Sequence, residues 1–147
     1  MPSLHAVLVT LTDATRENTV EMVIHDPTEN IYATTDDYVH ALEVRNAERI
    51  LFVAGTMGLD PAGSAGATLT EQLDLVWSNL RTILASAGMT VDNIVRLTSY
   101  LRDAAYAGPN GEARRAALGG RAIPTTAIVV EMLEHDWLVE IEIIAVG

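Results

Sequence analysis

One segment of this 147-residue chain has the spacing of an amphipathic helix, and the rest of the fold must pack against it. Thr68 and Glu71 fit a capping box at its start, and Gly88 fits the stop at its end. Apolar residues recur between them at intervals of three and four: Leu69, Leu73, Val76, Trp77, Leu80, Ile83, Leu84 and Ala87. The pattern predicts a helix over residues 69–87 with one apolar face.

Most of the remaining chain has the patterns of strands. Alternating or continuous apolar runs predict strands at 20–24, 38–44, 50–54, 92–101, 126–133 and 138–146. The polar residues 45–49 predict a hairpin between the second and third of these. A weaker helix is expected at 104–118, interrupted by Gly108-Pro109 and closed by Gly119-Gly120. The order predicts an α+β fold.

Two helices can cover only one face of such a sheet. In the last strand Val139, Ile141 and Ile143 point one way, while Glu140 and Glu142 point the other. We therefore expect another subunit to bury the second face. With no repeat and no long linker, the chain is predicted to be one domain over 19–147, preceded by an N-terminal extension, 1–18, that carries a strand from His5 to Leu11.

The composition excludes several classes of function. The chain has no cysteine and no lysine, so thiolate nucleophiles, sulfur-bound zinc and Schiff-base catalysis are excluded. Its net charge of −11 argues against nucleic acid as a partner. Apolar runs are too short to span a membrane, and the N-terminus lacks the basic leader of a secretory signal, so a cytoplasmic protein is expected. The four histidines show no metal-binding spacing, and neither a metal nor another cofactor is expected.

Glu140 and Glu142 form a pair of carboxylates on one side of the last strand. Burial of such a pair is costly because an ionised carboxylate loses its hydration. One interpretation is that this face is exposed to solvent, or that arginines pair with the two carboxylates. The other is a carboxylate held in a cleft, where it positions or activates a water molecule.

Several segments together resemble the RidA (YjgF) reactive-intermediate deaminase family, from about Val20 to the C-terminus. They are Tyr38-Val39-His40-Ala41, FVAGTMGLDPAG, TLTEQLDLVWSNLRTILASAGM, VDNIVRLTSYLRD, Asn110 and LVEIEIIAVG. The resemblance implies a chorismate-mutase-like α+β fold, in which a mixed sheet carries two helices on one face. It also implies a homotrimer that packs its sheets into a barrel, with small-molecule clefts between subunits. The best-known members hydrolyse enamines and imines, such as those derived from 2-aminoacrylate, to 2-keto acids and ammonia.

Four residues match family positions near the cleft. Glu140 matches the glutamate thought to hold the attacking water, and would be the catalytic residue. Tyr38, Gly55 and Asn110 match a tyrosine, a glycine and an asparagine that line the substrate site. Their structural alternatives are a solvated acid, a half-buried strand tyrosine, a turn glycine and a loop cap.

The chain differs from the family at the position whose side chain binds the substrate carboxylate. Deaminating members grip it with an arginine on the next-to-last strand. Here Thr125 stands at that position when the chain is counted back from Leu133, and Thr126 when the proline is aligned. Thr56 replaces another polar family residue beside the glycine. Arg121, in the loop before the strand, could reach back and supply the missing charge.

Two functions stay open. The first is an enzyme of altered specificity that acts on an uncharged or larger imine, enamine or related metabolite in a cleft with Tyr38, Thr56, Asn110 and Thr125. The second is a non-catalytic trimer that binds a metabolite or a partner protein. Imines of the 2-aminoacrylate type are expected to be poor substrates, and ribonuclease activity is disfavoured by the charge and by the lack of a histidine pair.

Overall fold

A computed structural model describes residues 6–7 and 19–147 of the chain. Within them lie seven strands and two α-helices: β1 (Ala6–Val7), β2 (Glu21–His25), β3 (Ala41–Arg45), β4 (Ile50–Met57), α1 (Leu69–Ser86), β5 (Ile94–Leu101), α2 (Ala107–Ala117), β6 (Thr125–Val129) and β7 (Val139–Val146). Apart from Ala6–Val7, the predicted strand 5–11 and the extension 1–18 lie outside the described residues.

The strands form two sheets. The main sheet has the order β4-β7-β5-β6; β5 and β6 are parallel and the other neighbours are antiparallel. The second sheet is antiparallel, with the order β1-β2-β3. The predicted hairpin between β3 and β4 is therefore wrong. The link 45–49 carries the chain from one sheet to the other, because β3 pairs with β2 whereas β4 pairs with the distant β7.

The core lies between the main sheet and the helices. Thr68 caps α1 as predicted, since its hydroxyl accepts a hydrogen bond from the Glu71 amide at 3.2 Å. The apolar side of α1 and the inward residues of β7 are buried in one cluster that includes Leu73, Val76, Trp77, Leu80, Leu84, Val139, Ile141 and Ile143. The predicted first helix and the alternation of the last strand are both confirmed.

Several predicted boundaries shift. β3 begins only at Ala41, and Tyr38 before it makes an isolated parallel bridge to Ile123. β6 ends at Val129 rather than Leu133. Gly108-Pro109 does not interrupt the second helix. Both residues lie in the first turn of α2, where the proline's missing N–H costs no helical hydrogen bond.

The second face of the main sheet is only partly covered. Near Val146, the small sheet packs on it through Val20 and Met22. Further along, Phe52 on β4 is 74% exposed and Ile128 on β6 is 43% exposed. The chain thus leaves an apolar surface on the face that we expected a second subunit to bury. Within residues 6–7 and 19–147, no helix has the length and apolar character needed to cross a bilayer.

Candidate functional site

Glu140 lies in a cleft of about 350 Å³ on the open face of the main sheet. The lining residues are Gly55, Tyr100, residues 130–133, Glu140 and Glu142, and we call this the Glu140 cleft. The pairing of β4 with β7 is irregular between Val53 and Thr56, so the strand bulges at Gly55. A Cβ atom on Gly55 would lie only 1.9 Å from the Glu140 Oε1 atom. The glycine therefore makes room for the carboxylate.

The environment of Glu140 favours its protonated form. Burial raises the pKa of the half-buried Glu140 above its ordinary value, and the nearby charge of Glu142 raises it further. Glu142 accepts a hydrogen bond from the Tyr100 hydroxyl at 2.5 Å. That hydrogen bond in turn raises the pKa of Tyr100. The two carboxylates therefore differ in their partners: among the described residues, Glu142 accepts the Tyr100 hydrogen bond and Glu140 does not.

Hydrogen bonds from two side chains, Gln72 and Arg102, hold the segment between β6 and β7. The buried side chain of Gln72 donates hydrogen bonds to the Asp136 and Gly66 carbonyls, and its own carbonyl accepts one from the Leu138 amide. Arg102 donates to the Trp137 carbonyl at 2.9 Å. These contacts fix the chain where it enters β7, two residues before Glu140.

A second cleft, of about 630 Å³, lies between the segment before β3 and the start of β6. Its lining includes Tyr32, Tyr38, His40, Leu42, Val95, Arg96, Thr125, Thr126 and Ile144, and we call it the Tyr38 cleft. Thr125 and Thr126 both line this cleft. The Arg96 Nη2 atom, on the neighbouring strand β5, donates a hydrogen bond to the Thr126 hydroxyl at 2.8 Å.

An ion pair holds the segment that carries Tyr38 against α2. The Arg114 Nη2 atom lies 2.6 Å from the Asp37 carboxylate, and the Arg114 side chain is only 7% exposed. Arg115 also contacts this carboxylate, at 3.0 Å. A hydrogen bond from Thr35, together with these two cations, lowers the pKa of Asp37. Tyr38 therefore directly follows a residue that ion pairs hold to α2.

Asn110 lies one turn before Arg114 on the buried side of α2. It is 1% exposed, and its Oδ1 atom has no hydrogen-bond partner among the described residues. Asn110 does not line either of the two clefts. Asn110 thus carries a buried acceptor on α2 that lines neither cleft.

Two other predicted residues lie away from both clefts. Thr56 is buried, donates to the Ala54 carbonyl at 3.0 Å, and lines a separate groove between β4 and α1. Arg121 donates from Nη2 to the carbonyls of Val91 and Ile94, each at 2.9 Å. Its guanidinium thus holds the start of β5 and does not point into the Tyr38 cleft. This geometry gives no support to the idea that Arg121 replaces the family arginine.

Within one subunit the two clefts have no lining residue in common. Glu140 pairs with Tyr100 across the β5–β7 ladder, whereas Ile144 pairs with Arg96. Four residues of strand separate these pairs, a distance of about 13 Å. The structure therefore brings Gly55 together with Glu140, and Tyr38 together with Thr125, but does not join the two groups.

Comparison with known proteins agrees with this fold. The family model described as Endoribonuclease L-PSP matches residues 28–147. A RutC family protein of Pyrococcus horikoshii is 29% identical over 120 residues, which cover 80% of this chain and 93% of that protein. The mouse 2-iminobutanoate/2-iminopropanoate deaminase is 30% identical over 116 residues, covering 78% and 84%. The chain belongs to the RidA (YjgF) family.

A solved structure supports the same assignment. A conserved Rid family protein of Yersinia pestis superimposes with a TM-score of 0.74 at 26% identity, covering 86% of this chain and 98% of that one. The α+β chorismate-mutase-like fold expected of a RidA-family chain is therefore confirmed, with two helices on one face of a mixed sheet. Within the described part of this RidA-family chain, no group of three or more His, Asp or Glu side chains could hold a metal ion.

Sequence reasoning missed Arg96 as a cleft residue of this RidA-family protein. A usable signal was present, because strand alternation places Arg96 on the same face as Thr98 and Tyr100. The missing information was which strand lies beside it. The parallel pairing of β5 with β6, which puts Thr98 opposite Thr126, depends on the crossover through α2.

Proposed function

We propose that the chain is a cytosolic homotrimer that hydrolyses an imine or enamine in clefts between its subunits, with Glu140 as the general base. The observation that carries the proposal is the position of Glu140, half-buried over Gly55 in a cleft and with a raised pKa. A carboxylate whose pKa lies closer to neutral is a better proton acceptor for water than an ordinary one. The name of the mouse deaminase relative supports the reaction class.

Assembly accounts for the two separate clefts. In this proposal the Tyr38 cleft of one subunit faces the Glu140 cleft of its neighbour, so that each complete site has two halves. The exposed Phe52 and the 91% exposed Leu133, which lines the Glu140 cleft, are apolar surfaces of the kind that subunit contacts bury. Three copies then give three equivalent sites around one axis.

The proposed reaction needs only water and the substrate. Glu140 accepts a proton from water while the water oxygen bonds to the imine carbon, and the proton is passed to the substrate nitrogen. The resulting carbinolamine then gives its hydroxyl proton, through Glu140, to the amine nitrogen. The C–N bond breaks, ammonia leaves, and the oxygen forms the C=O bond of the carbonyl compound. Every atom of the imine and the water is recovered in the ketone and the ammonia.

The substrate is proposed to differ from the smallest imines of the family. On the strand where family members carry the arginine, Thr125 and Thr126 offer neutral hydroxyls, so no arginine of β6 holds the carboxylate of a three-carbon imine. We therefore expect poor turnover of 2-aminoacrylate-type imines. Ribonuclease activity, suggested by the description of the family model, fits poorly with a net charge of −11.

The test is the Glu140→Gln variant, assayed with imines generated in place from amino acids by an amino-acid oxidase. The amide keeps the shape of the side chain but cannot accept the proton, so we expect hydrolysis to fall by about 100-fold or more. The assembly measured by light scattering should not change. The matched control is Glu112→Gln, on the exposed side of α2.

Two results would count against the proposal. Full hydrolysis by Glu140→Gln would remove the assigned base. A wild-type protein that binds metabolites in its clefts but hydrolyses no imine would favour the non-catalytic trimer, for which the threonines at 125 and 126 are the supporting observation.

A further inference from the structure

We propose that Arg96 is the anion-binding group of the Tyr38 cleft, and that this cleft selects imino acids with an aromatic or other large planar side chain. This inference rests on the proposed function and names its substrate class. Arg96 comes from β5, but its guanidinium lies beside Thr126, on the strand where the family arginine is expected. The positive charge is thus supplied by β5, the strand next to the one where the family arginine is expected.

The partners of the arginines separate Arg96 from the others. Arg45, Arg114 and Arg115 contact carboxylates. Carbonyl oxygens bind three more: Arg49, Arg102 and Arg121. Arg81 is exposed on α1 and does not line the cleft. Among the residues described, Arg96 is half-buried in a cleft and has only the Thr126 hydroxyl as a hydrogen-bond partner. A guanidinium has five N–H donors, so most of those on Arg96 are free to bind an incoming carboxylate.

The nearest acid on the same face does not neutralise Arg96. Glu142 lies further along the face and accepts the hydrogen bond of Tyr100. No carboxylate oxygen of the described residues lies within 4 Å of the Arg96 guanidinium. The positive charge therefore remains available inside the cleft.

The wall opposite Arg96 is aromatic. Tyr32 and His40 pack edge to face with ring centroids 5.0 Å apart, and Tyr38 and His40 do so at 6.3 Å. The His40 Nε2 atom donates a hydrogen bond to the Tyr32 carbonyl at 2.8 Å, which fixes this group. The Tyr32 side chain stays largely exposed, at 72%, so its ring can receive another planar group.

Charge and shape together define the ligand. The carboxylate of a 2-imino acid would bind Arg96, and its side chain would pack on the aromatic wall and on the apolar Leu42, Val95 and Ile144. A cleft of about 630 Å³ is larger than a three-carbon acid can fill. A small imine would therefore gain only the contact with Arg96, whereas an aromatic one would gain both contacts.

The test measures equilibrium binding, so that it does not depend on catalysis. Isothermal calorimetry on the wild-type protein would compare phenylpyruvate, pyruvate and the uncharged phenylacetone. We expect phenylpyruvate to bind about tenfold or more tightly than either of the others, because it alone makes both contacts. Arg96→Gln should weaken phenylpyruvate binding about tenfold or more, since it removes a hydrogen bond to a charged group. Arg81→Gln, on the exposed side of α1, should bind like wild type.

The outcomes separate this inference from the proposed function. Equal affinity for phenylpyruvate and pyruvate, or unchanged binding by Arg96→Gln, would overturn the role of the cleft, whatever the hydrolysis assay shows. If Arg96→Gln does not assemble, Arg96→Lys takes its place. Lysine keeps the positive charge but lacks the planar fork of the guanidinium, so this variant should bind phenylpyruvate with intermediate affinity. Wild-type affinity would refute recognition by the fork. Loss of the catalytic role of Glu140 would leave these binding results intact.

Discussion

At the scale of single residues, the candidate base depends on a glycine. Gly55 lies at the bulge of β4, and the Glu140 carboxylate occupies the space where a side chain at 55 would begin. Burial raises the pKa of Glu140, and the charge of Glu142 raises it further. The absence of a side chain at 55 leaves the space that this carboxylate occupies.

Gly55→Ala should displace the Glu140 carboxylate, because the new Cβ would lie 1.9 Å from Oε1. We expect kcat to fall about tenfold or more, since a misplaced general base transfers protons poorly. The control is Gly108→Ala, at a helical position with open space around the added methyl group. Steady-state kinetics on both variants are the measurement, and wild-type kcat in Gly55→Ala would show that the carboxylate need not lie there.

At the scale of elements, α2 holds the Tyr38 segment through the ion pairs that Arg114 and Arg115 make with Asp37. Arg114 is almost fully buried on the helix and Asp37 precedes Tyr38, so this ion pair joins the helix to the cleft wall. The unused acceptor of Asn110 lies on the same side of the helix. These contacts join segments more than seventy residues apart in the chain.

Asp37→Ala should destabilise the protein by about 3 kcal/mol, because it leaves the buried Arg114 guanidinium without a counter-charge. The neighbouring Asp36→Ala is the control, since Asp36 is exposed. Urea denaturation followed by circular dichroism gives the free energy of unfolding of each variant. Equal stability of the two would mean that the ion pair does not anchor the Tyr38 segment.

Local patterns predicted much of the fold but not its pairing. The spacing of Leu69 to Ala87 and the alternation of Val139 to Ile143 were sufficient for α1 and β7, because both depend on neighbours in the sequence. The hairpin between β3 and β4 failed because their true partners, β2 and β7, are chosen by distant contacts. The groups that Arg96 and Arg121 contact likewise depend on which strands become neighbours.

At the scale of the whole molecule, one chain carries the Tyr38 cleft, the Glu140 cleft and an open apolar face. Glu140 and Arg96 lie about 13 Å apart along the sheet, too far for one small imine to contact both. In the trimer proposed above, neighbouring subunits would face each other, and each would supply the other half of a site. Light scattering should then give about three times the 15.8 kDa chain mass.

Sharing of each site between two subunits can be measured by complementation. Tyr38→Ala and Glu140→Gln chains, each inactive when refolded alone, would be unfolded together, refolded as an equal mixture and assayed with an aromatic imine. Random assembly gives about a quarter of the interfaces both intact halves, so we expect about a quarter of wild-type activity. A mixture as inactive as its separate parts would show that each site lies within one chain, and would contradict the shared cleft.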